Sequence, residues 1–191
     1  MAGSPFARFL SPDTLIAEIR MLASILTQQG VSFALIGGVA MGVYGSDRLT
    51  VDLDFVVDTI PPCFADAAPL EIGGVQMKTA EGVEVDFVDR NDEYRALYRE
   101  ALVAARPHSG LGGVRVVPAE FLAAMKLAVG REKDLADLAF LLATDGVLDY
   151  AKTRKIVATH LGVYAARELD GYRETAAWER YAAARGARRG R

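Results

Sequence analysis

The sequence has a single cysteine, Cys63, in 191 residues. That excludes an internal disulfide framework and a thiolate metal cluster. It has only two histidines, His108 and His160. Neither has a second ligand at a recognisable spacing, so both read as structural rather than zinc-binding. No apolar run is long enough to span a membrane. The N-terminus lacks the basic segment and unbroken apolar run of a signal peptide. Both absences lead to the expectation of a cytoplasmic protein with no membrane partner. Positive charge is not in excess either: the formal net charge is −3 and the pI near 5.5. There is no global field for nucleic acid, so any RNA contact must use a local patch. What remains is ordinary globular material, 51% hydrophobic and 25% charged.

One stretch concentrates the chemistry. Ala34 to Val57 reads as a strand, a double-glycine turn at Gly37-Gly38, a short helix and a second strand. Alternate residues of a strand share a face. Thr50, Asp52 and Asp54 therefore fall on one face, and Leu49, Val51, Leu53, Phe55 and Val57 on the other. The apolar set is expected to be buried under helices. The two carboxylates repel each other unless a cation offsets them. Hard oxygen ligands on a rigid strand suit Mg2+, which takes one or two protein carboxylates together with substrate phosphates. Glycines that open a helix let backbone amides approach a phosphate. Together these features point to phosphoryl or nucleotidyl transfer.

The rest of the chain supplies a frame. Ser11-Pro12-Asp13 starts a helix that ends at Gly30, and Val31–Ile36 is a strand. A short helix is expected at 63–70. Gly73-Gly74 introduces a hairpin, Val75–Thr79 and Val83–Val88, turning at Ala80-Glu81-Gly82. Its second arm alternates again, with Glu84 and Asp86 on one face. Asn91 is expected to cap a helix to Ala105, residues 107–113 form a loop, and Val114–Val117 form a last strand. Further helices follow over 118–129, 131–143, 149–161 and 163–184. Lys126, Arg131, Lys133, Asp134 and Asp137 cluster in the first two of these. There is no internal repeat and no clear linker. The expected organisation is a core at 1–117, a helical unit at 118–184 and a loose basic tail at 185–191.

In the string GGVAMGVYGSDRLTVDLDFVV, thirteen residues separate Gly37-Gly38 from Asp52-Leu53-Asp54. It resembles the signature of the polymerase-beta-like nucleotidyltransferases. With Arg48 and Thr50 in R-x-T-x-D-x-D, it is similar to the AbiEii-type branch, which includes nucleotidyltransferase-like toxins of bacterial toxin–antitoxin pairs. The resemblance covers roughly residues 30 to 145. It implies an α/β fold: a small twisted mixed sheet flanked by helices, followed by a helical C-terminal unit. It implies two Mg2+ ions held by Asp52 and Asp54, with Asp86 as third carboxylate and proton acceptor. Glu84 is the competing candidate for that third place. Gly37, Gly38, Arg48 and Thr50 would serve the nucleotide. The K…R-x-K-D-x-x-D-L element resembles the family's later motif, so Lys126 would meet phosphates, with Arg131 and Asp134 beside it. The superfamily's Gly-Ser pair is Gly-Gly here, which removes one hydroxyl donor to phosphate.

The implied reaction moves NMP from an NTP to a hydroxyl and releases pyrophosphate. By resemblance the acceptor is the 3′ end of tRNA, and the partner is an antitoxin protein. Two other readings use the same residues: a transferase acting on a small antibiotic-like hydroxyl compound, and a nucleotide-binding protein without turnover.

Overall fold

The computed structural model describes residues 12–189, with side chains through Trp178. The N-terminal arm and the last two residues lie outside that range. The chain divides into two compact units. One is built from the chain through Arg95 together with Leu102–Val117, the other from Ala96–Ala101 and the chain from Pro118 onward.

The first unit holds a mixed seven-stranded sheet. Helix α1 (Pro12–Gln28) precedes β1 (Phe33–Ile36), and α2 (Gly37–Val43) follows it directly. Then come β2 (Asp52–Val57), β3 (Ala68–Pro69), β4 (Val75–Lys78) and β5 (Glu84–Val88). After α3 (Arg95–Ala104), β6 (Arg106–Pro107) and β7 (Arg115–Val116) complete the sheet. The strand order is β3-β4-β5-β2-β1-β7-β6. β1 runs antiparallel to β2, while β2 and β5 are parallel neighbours. The α/β expectation therefore holds, with helices α1 and α2 set against a mixed sheet.

Alternation decides which face of this sheet is core. Leu53, Phe55, Val85 and Phe87 are fully buried. Phe55 lies opposite Phe87 in the register, and their rings stack with centroids 5.8 Å apart. Phe64, from a single 3-10 turn, stacks on Phe87 at 4.9 Å. Burying a side chain of this size contributes about 1.5–3 kcal/mol.

The other unit is helical. It contains α4 (Ala119–Val129), α5 (Glu132–Ala143), α6 (Tyr150–His160) and α7 (Val163–Arg189). Gly130 ends α4 in the left-handed region at φ 67°, where a side chain would be strained. Asp149 caps α6 by accepting from the Lys152 amide at 3.1 Å. Tyr150 joins α6 to α7 by donating to Asp170 at 2.5 Å, while Arg154 grips the same carboxylate. Among the described residues, no helix is long and apolar enough to cross a membrane.

Several expectations need correction. Leu49 and Val51 are 67% and 47% exposed rather than buried, because pairing begins only at Asp52, opposite Glu84. Residues 63–70 form a 3-10 turn and the short β3 instead of a helix. Pro69 lacks the amide that a helix continuing to residue 70 would need. Asn91 does not cap α3. Asp92 takes that region instead, accepting from the Tyr94 amide at 3.1 Å and gripping Arg90, before the helix starts at Arg95. The loop expected at 107–113 contributes β6 and a 3-10 turn. Backbone helicity continues through Arg189, so residues 185–189 prolong α7, while 190 and 191 lie outside the described residues.

Candidate active site

The sheet register gathers the acidic residues. Asp52 pairs with Glu84 and Asp54 with Asp86 across the parallel β2–β5 junction. Paired positions of parallel strands carry their side chains on one face, about 4.8 Å apart. The four carboxylates thus form a two-by-two array on the face opposite the phenylalanines. Asp52, Asp54 and Asp86 are half-buried, and Glu84 is exposed.

Each member of the array is held by a different neighbour. Thr50 Oγ1 donates to Asp52 Oδ1 at 2.7 Å. Thr50 precedes the strand, yet its hydroxyl still reaches the carboxylate two residues on. Gln76 on β4 lies opposite Asp86, and its Nε2 donates to Asp86 Oδ1 at 2.8 Å. Lys78 lies opposite Glu84 and pairs with it at 2.9 Å. Asp54 stands against the double glycine. A methyl group on Gly37 would fall 2.5 Å from Asp54 Cγ and 2.9 Å from its Cβ. Gly37 also has φ 63°, which favours glycine. A methyl group on Gly38 would fall 2.8 Å from Thr50 Cβ and 3.4 Å from Arg48 Nη2. The two glycines therefore make room, Gly37 for Asp54 and Gly38 for Thr50 and Arg48. Ile36, the residue before them, pairs with Asp54 in the register, which explains the proximity.

Arg48 is exposed, and its amide donates to Ser46 Oγ at 3.3 Å. Gly37, Gly38, Arg48, Thr50, Asp52, Asp54 and Asp86 thus come together in the sheet unit. A surface groove of about 390 Å³ lies elsewhere in that unit, lined by Arg20, Ser24, Gln28, Phe33 and Gly112 among others. It opens at the Phe33 end of β1, whereas Asp54 is paired with Ile36 at the other end.

Lys126, Arg131 and Asp134 come together in the helical unit. Lys126 Nζ lies 2.9 Å from Asp134 Oδ1 and 2.7 Å from Asp137 Oδ2. All three side chains are less than a tenth exposed. Arg131 Nε meets Asp134 Oδ2 at 2.6 Å while its own side chain stays 62% exposed. Burial alone would raise the Asp134 pKa. The hydrogen bonds from Arg131 and Lys126 outweigh it and hold the carboxyl below its usual value. The cluster ties α4 to α5. Within it Arg131 is the cation that faces solvent.

The sequence reading missed Gln76 and Lys78. Their signal was present in the hairpin: a turn over Thr79–Val83 sets V-Q-M-K against E-V-D-F, so Gln76 must face Asp86. The donor set is hard oxygen, which suits Mg2+ or Mn2+. Among the described residues, no group of three or more Asp, Glu, His or Cys side chains is arranged to hold a metal ion. An open carboxylate pair completed by substrate phosphates and water is the arrangement Mg2+ commonly takes.

No family model matches the chain. No curated protein matches it by sequence. Among solved structures it is similar to an antigenic nucleotidyltransferase-like protein from Paracoccidioides brasiliensis. That similarity has 16% identity and a TM-score of 0.47, and covers 86% of this chain and 94% of the other. It is also similar to the antibiotic-resistance factor ANT(2'')-Ia, at 15% identity and a TM-score of 0.44, covering 95% of this chain and all of that one.

Proposed function

We propose that this protein is a metal-dependent nucleotidyltransferase that moves a nucleoside monophosphate from an NTP to a hydroxyl acceptor. One observation carries the reading: the parallel register that sets Asp54 opposite Asp86, with Asp52 on the same face. Neighbouring carboxylates on one sheet face repel each other, and a phosphate-bearing cation between them offsets that repulsion.

Asp52 and Asp54 would hold Mg2+, with Asp86 completing the set. When bound, the ions supply charge neutralisation at the triphosphate and at the leaving pyrophosphate. The chain's own residues do the rest. Thr50 fixes Asp52, and Gly37 lets Asp54 approach the turn. Gly37 and Gly38 offer backbone amides to phosphate, and Arg48 adds a cation beside Gly38. In the transfer, the acceptor oxygen bonds to the α-phosphorus. The bond from that phosphorus to the bridging oxygen breaks, pyrophosphate departs, and Asp86 takes the hydroxyl proton. Catalysis is then mainly positioning and charge stabilisation. In the helical unit, Arg131 is the exposed cation for nucleotide phosphate, anchored by Asp134. Lys126 supports that anchor through the same carboxylate.

The acceptor we propose is the 3′ end of tRNA, with the protein acting in the cytoplasm as a toxin restrained by an antitoxin. Support for this finer reading is the R-x-T-x-D-x-D pattern of Arg48 to Asp54. Label transfer tests it. Protein, Mg2+ and each α-labelled NTP are incubated with total tRNA, beside the Asp52→Ala variant. Label on tRNA from the unaltered protein alone is the expected result. Pyrophosphate release only with small hydroxyl compounds would replace the acceptor. Nucleotide binding without any release would remove the transferase.

A further inference from the structure

We infer that Gln76 is a positioning residue for the metal-binding face, acting through Asp86; this rests on the nucleotidyltransferase reading above. Gln76 lies on β4, directly opposite Asp86 on β5. Its amide donates to Asp86 Oδ1 at 2.8 Å. A carboxylate on a strand can rotate about two torsions. Fixing one oxygen toward β4 sets the plane of the group and the direction of its other oxygen. Asp54 is the direct neighbour of Asp86 on the opposite side, on β2. Gln76 therefore constrains how Asp86 stands relative to Asp54.

The neighbouring row shows why the amide matters. One step along the same strands, Lys78 meets Glu84 at 2.9 Å, opposite Asp52. There a cation engages the carboxylate, and the two charges offset each other locally. A glutamine orients a carboxylate without offsetting its charge. The two rows of β4 thus treat the two acids differently: Lys78 pairs with Glu84, while the Gln76 amide orients Asp86. Outer-sphere hydrogen bonds of this kind usually change metal affinity by about 10–100-fold when removed. Gln76 is exposed and outside the apolar core, so its loss has little reason to unfold the sheet.

The test measures Mn2+ binding to the full chain without nucleotide, by loss of the free-ion electron paramagnetic resonance signal. Gln76→Met keeps the side-chain length and removes the donor. It is expected to weaken Mn2+ binding by about 10-fold while leaving the thermal midpoint near that of the unaltered protein. In an Asp86→Asn background, Gln76→Met should add no further loss, because its effect passes through Asp86. Unchanged Mn2+ affinity in Gln76→Met, with binding lost in Asp54→Asn, would overturn the role of Gln76 and leave the transferase reading standing. An equal further loss in the Asp86→Asn background would also overturn it. Mn2+ binding that is indifferent to Asp54→Asn would defeat the metal reading itself, and the inference with it.

Discussion

Gly37 leaves the space that the Asp54 side chain fills: a methyl group there would lie 2.5 Å from Asp54 Cγ. Because the contact involves Cβ and Cγ, rotation of the carboxylate cannot relieve it. Gly37→Ala must displace Asp54 or shift the turn, and it also places a side chain at φ 63°. Displacing a reacting group by about 1 Å can cost on the order of 100-fold in rate. The expected outcome is a loss of that order in kcat with retained folding by circular dichroism. Full activity in this variant would mean Asp54 tolerates displacement.

Thr50 controls the other aspartate. Its hydroxyl donates to Asp52 Oδ1 at 2.7 Å. Thr50→Val keeps the shape and removes the donor. The hydrogen bond is to a charged group but half-exposed, so about 1 kcal/mol, roughly a fivefold loss of kcat, is the expected scale. Thr50→Ser should recover most of it. Steady-state kinetics on the two variants checks this, and equal rates for all three proteins would dismiss the contact.

Lys126 carries a stability prediction. Its ammonium is buried between Asp134 and Asp137. Lys126→Met leaves two buried carboxylates without their shared cation, a change that typically costs about 3–5 kcal/mol. Urea unfolding should show it directly. Replacing Asp134 and Asp137 by leucine in the same chain removes the buried negative charges and should recover much of the loss. If Lys126→Met unfolds at the same urea concentration as the unaltered protein, the cluster is not holding α4 to α5.

Much of the candidate site was legible because strand alternation and tight turns are local. Asp52, Asp54 and Asp86 could be placed on one face from period-two patterning, and the glycine turn of the hairpin gave the β4–β5 register. Two kinds of feature were not legible. Leu49 and Val51 alternate correctly but lie outside the strand, because pairing is set by where β5 begins, at Glu84. The burial of Lys126 depends on α5 folding back after Gly130, and no local rule distinguishes it from an exposed helix lysine. The packing of Gly37 on Asp54 was also hidden. Sequence showed glycines suited to an anion, but their closeness to the aspartates follows from Ile36 pairing with Asp54.

Two groups predict opposite limbs of the pH profile. The Asp134 carboxyl is held below the usual carboxylate value in the folded chain, against burial, by Arg131 and Lys126. Its contribution is present above the unfolded value and is lost as pH falls through the folded one. The Tyr150 hydroxyl is pushed up to about 12 by burial and by Asp170. Its neutral form is the one the fold prefers, so that contribution is present below pH 10 and is lost as pH rises toward 12. Urea midpoints across pH should fall at both ends. Asp134→Asn should flatten the acid limb and Tyr150→Phe the alkaline one. An acid limb unaltered by Asp134→Asn would assign it to other carboxylates.

The most direct test of the central claim is pyrophosphate release by Asp54→Asn. This variant keeps the size of the side chain and its place against Gly37 but removes the charge. The unaltered protein should release pyrophosphate from an NTP in the presence of Mg2+ and total tRNA, and chelation should stop it. Asp54→Asn should lose at least about 100-fold of that rate while unfolding at a similar temperature. Release at an undiminished rate from Asp54→Asn would contradict the account, because the acidic array would then have no part in the chemistry.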